Sequence, residues 1–100
     1  MVNNDPVLGG LGTATWTHEE GISYEVALEG INHVVGAYAG LIARKRTTDP
    51  ESPAITAWKE QQEAWERRRR SLHADDHQAV AAVRAECKAL LPRLREELLG

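Results

Sequence analysis

The residues in this 100-residue chain whose types could do chemistry are few, and they fall in small groups. His73 and His77, with Asp75 and Asp76 between them, have the types that bind metal ions. A zinc site needs three or four converging ligands, and nothing in the pattern brings His18 and His33 to join them. The spacing also straddles an expected helix start, so the two rings need not share a face. Capping and solvent exposure are the expectation for this group, and a metal is not. Glu60, Glu63 and Glu66 form a carboxylate row, but a divalent cation held between helices needs a second acidic pair on a facing helix. The chain lacks one, so a salt-bridged surface is expected, with Lys59–Glu63, Glu63–Arg67 and Glu66–Arg70 spaced four apart. Cys87 is the single cysteine, which excludes an internal disulfide and a thiolate zinc cluster. It lies in an apolar stripe with no histidine or cation placed to lower its pKa, so it reads as a small core residue. No glycine-rich phosphate loop or nucleophile elbow occurs. The sequence therefore offers no catalytic, cofactor-binding or metal-binding set, and the expectation is a protein that is not an enzyme.

The elements that would position these groups are helices. From Ser23 to Arg46, the residues Tyr24, Ala27, Leu28, Ile31, Val34, Val35, Tyr38, Leu41 and Ile42 recur at three- and four-residue steps, the stripe of an amphipathic helix. Ser23 stands where an N-cap is wanted, and Arg44, Lys45 and Arg46 suit the negative end of the helix dipole. Ser52 followed by Pro53 predicts a second helix to about Leu72, with a thin stripe of Ile55, Trp58, Trp65 and Leu72. Asp75, with Gln78 three residues on, predicts the cap of a third helix over about 76–98. Its stripe is Val80, Val83, Cys87, Leu90, Leu91, Leu94 and Leu98, and Pro92 inside it predicts a kink or an early end. Three helices with short connections predict an all-α, antiparallel up-down-up bundle over 22–100. Residues 1–21, with Gly9, Gly10 and Gly12 and no helical stripe, predict a flexible tail. Trp16 in it is expected to fold back onto the bundle or to wait for a partner.

Composition narrows the partners. A net charge of −3 gives no broad attraction to nucleic acid or anionic lipid. Arg67–Arg70 invites a nucleic-acid reading, but phosphate binding wants basic groups spread over one face. A hairpin would set Arg44, Lys45 and Arg46 at one end and Arg67–Arg70 at the other, near Glu19, Glu20, Asp75 and Asp76. An internally paired, solvated face is therefore expected. No run of roughly 18 apolar residues is visible and the N-terminus lacks a signal-peptide pattern, so a cytoplasmic location without a membrane span is expected.

One feature of the first helix stands apart. Opposite its main stripe lie Glu25, Glu29, Asn32 and His33, then Gly36, Ala39, Gly40 and Ala43. A mid-helix glycine costs roughly 1 kcal/mol against alanine, so Gly30, Gly36 and Gly40 together are a substantial sacrifice. Small residues four apart let another backbone approach closely, whether the third helix of the same chain or a helix of another molecule.

The order Ser23-Tyr-Glu-Val-Ala-Leu-Glu-Gly-Ile-Asn32, then Ala37-Tyr-Ala-Gly-Leu-Ile-Ala43, a Pro-capped second helix and Leu72-His-Ala-Asp-Asp76 resembles small helical proteins of actinobacteria. Some of these look like partners of zeta-type kinase toxins, so the resemblance implies an epsilon-like antitoxin, a three-helix bundle whose N-terminal helix covers the toxin's nucleotide site. Carried over, it implies Tyr24, Glu25, Glu29 and His33 as contacts, and Trp16, Gly36 and Gly40 complete the candidate partner-binding set. Glu25-Val-Ala-Leu-Glu-Gly30 also resembles the inhibitory motif of antitoxins of Fic-type AMP-transferases, with Glu25 where that motif has a hydroxyl residue. Both resemblances imply a helix that presents a carboxylate to a nucleotide site. The functional expectation is an antitoxin-like protein binding a nucleotide-using kinase toxin. The alternatives are a small dimeric DNA-binding regulator and a general helical interaction module, with a homodimer as a further form of assembly. No cofactor is expected.

Overall fold

A computed structural model describes residues 18–100, apart from the side chains of His18 and Glu20. The fold is an all-α three-helix bundle, α1 His18–Thr48, α2 Pro53–Ser71 and α3 His77–Leu99. Residues 1–17 of the expected tail, Trp16 among them, lie outside the described residues.

The bundle is built on α1. Both α2 and α3 pack against it, while no Cα pair between α2 and α3 comes within 8 Å. α2 runs back along α1, with Gln62 reaching the Val35 carbonyl and Tyr24 reaching the carbonyl of Leu72. α3 runs forward again, so that Gly30 faces Cys87 and Gly40 faces Leu98. The predicted α1 stripe is the core: Ala27, Ile31, Val34, Tyr38 and Leu41 are buried against Trp65 and Leu72 from the second arm and Val80, Val83, Cys87 and Leu94 from the third. Ile31, Val34 and Val83 are the largest fully buried side chains, each stabilising the fold by about 1.5–3 kcal/mol through burial.

Between α2 and α3 one strut closes the gap. The Arg68 guanidinium donates to both carboxylate oxygens of Glu86, at 2.7 and 3.1 Å, and lies 4.6 Å over the Trp65 ring. A bidentate pair fixes geometry better than a point contact. The pairs expected along α2, Lys59–Glu63, Glu63–Arg67 and Glu66–Arg70, do not close. Nor does the arginine run lean on Glu19, Asp75 or Asp76: Arg69 donates instead to the Asn32 side chain on α1. Long side chains on a solvated face lose too much rotamer freedom for a weak surface pair to hold them.

Two local expectations are corrected. α1 begins at His18 rather than Ser23, so Ser23 is not a cap; its hydroxyl, one turn inside the helix, accepts from Arg84 on α3 at 3.1 Å. The cap of α3 is Asp76 rather than Asp75, accepting from the Ala79 N–H at 3.1 Å. α3 passes through Pro92 and runs to Leu99, matching the expected span of about 76–98, so of the two outcomes weighed at Pro92 the early end does not occur. Proline removes one hydrogen bond, and the burial of Leu94 with the packing of Leu98 beyond it holds the next turns in line. Ser52 caps α2 as read, accepting from the Ala54 N–H at 3.2 Å.

The Gly21–Thr48 part of α1 is long and apolar enough, by length and composition, to cross a membrane, although the sequence reading found no such stretch. Runs of alanine and glycine raise its hydropathy without forming an unbroken run of large apolar residues. In this fold its apolar side is taken up by α2 and α3.

Candidate functional site

At about 100° per residue, Ile22, Glu25, Glu29, Gly36 and Ala43 fall within an arc of about 60° on α1, opposite the core stripe. All five are exposed. His33 and Val26 border this arc on the α3 side, Asn32 and Ala39 on the α2 side, and all four are also exposed. The helix thus offers an outward face, charged and apolar at its N-terminal half and lined with small residues further on, where Leu98 of α3 covers Gly40 within the same arc.

The candidates divide in two. Glu25, Glu29, His33 and Gly36 stand on this face, and a Cβ added at Gly36 would meet nothing within 4 Å. Tyr24 and Gly40 are engaged inside the chain instead. Tyr24 packs against the core with its hydroxyl 3.5 Å from the Leu72 carbonyl, and a Cβ at Gly40 would meet Leu98 Cδ2 at 3.1 Å. Gly30 likewise faces the Cβ and Sγ of Cys87 at 3.1 Å. The small residues therefore serve two neighbours: Gly30 and Gly40 admit α3, and Gly36 is left open.

Beside this face, α1 and α3 enclose a groove of about 530 Å³. Val26, Gly30, Ala81, Ala85, Cys87 and Leu91 give it an apolar lining, and Glu29, His33, Arg84 and Lys88 supply its polar groups. Cys87 is buried, and that burial raises its thiol pKa, with Arg68 opposing and Glu86 adding to the shift. A thiol held protonated is a poor nucleophile, which fits a packing role.

The other groups do not assemble. Among the described residues no three His, Cys, Asp or Glu side chains converge as a metal site. Glu60 and Glu63 are exposed and Glu66 half-buried on α2, and His73 and Asp75 are exposed beside the α3 cap. Of the arginine run, Arg68 and Arg69 are engaged within the bundle, which leaves Arg67 and Arg70 as its exposed members.

Sequence reasoning missed Ile22 and Val26, which with Leu99 are the exposed large hydrophobic residues of the described chain, 49% and 42% exposed. The signal was present, since neither belongs to the core stripe while both lie one turn apart on a helix whose buried side was already filled. Comparison with protein families, with curated proteins and with solved structures finds no match to this chain.

Proposed function

We propose that this chain is a cytoplasmic, antitoxin-like binding protein that uses the outward face of α1 to hold another protein, the catalytic domain of a zeta-type kinase toxin. The observation that carries the reading is the pairing of exposed Ile22 and Val26 with Glu25, Glu29 and His33 on one helical face. Large apolar side chains left in water beside a charged border have the anatomy of an interface, with anchors at the centre and polar groups at the rim. Ile22 and Val26 are the anchors. Glu29 is the carboxylate that would face the cationic groups of a nucleotide site, as the resemblance implies. Tyr24 supports this face from behind through its contact with Leu72.

The test is co-expression with the product of the neighbouring gene, followed by pull-down and a growth-rescue assay. The expected result is a stable complex that Val26→Asp and Glu29→Arg weaken without changing the helical circular dichroism signal. No complex with wild type, or full rescue by both variants, overturns the reading.

A further inference from the structure

We propose that α1 also pairs with itself: two copies of the chain meet through the outward faces of their α1 helices, antiparallel, with Gly36 of one beside Gly36 of the other. The argument starts from charge. Glu25 and Glu29 occupy the N-terminal half of the face, and Arg44 and Arg46 flank its C-terminal end on either side. None of the four forms an ion pair among the described residues. A register centred on Gly36 sets residue 36−n against residue 36+n. Glu29 then lies against Ala43 and Glu25 against Thr47, with Arg44 and Arg46 of the second copy straddling both carboxylates. A parallel pairing would instead set glutamate against glutamate and arginine against arginine. The helix dipoles favour the antiparallel choice as well.

Packing agrees with charge. Around the proposed axis the face holds Gly36, Ala39 and Ala43, all exposed, and the open space over Gly36 leaves room for a second backbone. Further out, the same register brings Val26 beside the aliphatic stem of the second copy's Arg44, which stands on the same flank of α1, and takes that anchor out of water. The pairing needs no enzyme and is measured on the chain alone, so it stands or falls separately from the functional reading. The two occupants share one face, so a bound enzyme would have to displace the second copy.

The experiment is sedimentation velocity on the full chain over a concentration series, with a charge-swap pair. Wild type is expected to dimerise, more weakly as salt rises. The double variants E25R/E29R and R44E/R46E are each expected to dimerise roughly tenfold or more weakly, because each sets like charges together. Their equimolar mixture is expected to recover the wild-type dimer. Circular dichroism establishes that each variant is folded. An independent arm uses G36C in a C87S background, which should oxidise to a covalent dimer while A57C, on exposed α2 surface, should not. A wild type that stays monomeric, variants that dimerise as wild type does, a mixture that stays monomeric, or equal cross-linking at both cysteine positions would each overturn the pairing.

Discussion

Gly30 and Gly40 permit a comparison in which one substitution, on one helix and at one distance, should give opposite signs. A Cβ added at either position comes within 3.1 Å of α3. At Gly40 the neighbour is Leu98 Cδ2, the far end of a flexible, half-buried side chain near the end of its helix. Leu98 can change rotamer, so Gly40→Ala should keep most of the helix-propensity gain of about 0.8–1 kcal/mol. At Gly30 the neighbours are Cys87 Cβ and Sγ, and Cβ is fixed to the backbone in the middle of α3. There α3 itself must move. Overpacking of that kind costs about 1–3 kcal/mol, which exceeds the propensity gain. Gly30→Ala should therefore be less stable than wild type by up to about 2 kcal/mol, and Gly40→Ala more stable by somewhat under 1 kcal/mol. For a domain of this size a kcal/mol corresponds to roughly 4–8 °C in Tm, so thermal melts followed at 222 nm resolve the two. A Gly30→Ala variant that melts as high as Gly40→Ala would refute the close approach of α1 and α3 at Cys87, and with it the reason given for glycine there.

Leu41, 4% exposed, is expected to cost about 2–5 kcal/mol on truncation to alanine, measured by urea unfolding; a change below about 0.5 kcal/mol would show it is not core. The Glu86 carboxyl is held below its ordinary pKa chiefly by the Arg68 hydrogen bond, with partial burial opposing and the Arg68 charge adding to it. A lowered folded-state pKa contributes stability above the ordinary carboxyl range and loses it as pH falls through the folded value. The advantage of wild type over Glu86→Gln should thus shrink on acidification, from at most about 1 kcal/mol for so exposed a pair; unfolding titrations at neutral and acid pH check it. Cys87 should resist a thiol reagent in the native protein and react when urea unfolds it, and rapid labelling of folded protein would contradict its burial.

The α1 stripe was legible because its period is long and its residues large, and the same residues form the core. Ser52–Pro53 was legible because a capping hydroxyl before a proline has one ready use. The start of α1 was not, because Gly21 lowers helix propensity locally while packing near Ser23 and Arg84 lies far along the chain. The Arg68–Glu86 strut escaped for a similar reason: its partners are 18 residues apart on different helices, and no spacing rule within one helix points across to the next. On the candidate face, the carboxylates were visible as charges off the stripe. Ile22 and Val26 were overlooked because apolar residues near a core helix are readily credited to the core. The division of labour between Gly30, Gly36 and Gly40 could not be read from spacing, since it depends on which α3 side chains arrive opposite each one.

α1 bears a relation to the other two helices that they do not bear to each other, since no Cα pair between α2 and α3 comes within 8 Å. It serves as a keel to which two planks are fastened, braced to each other at Arg68 and Glu86. A protease cut in the connection at residues 73–75 should leave two fragments that remain clasped, each still holding its seam with the keel or being held by it. A cut in the middle of α1 should release everything at once.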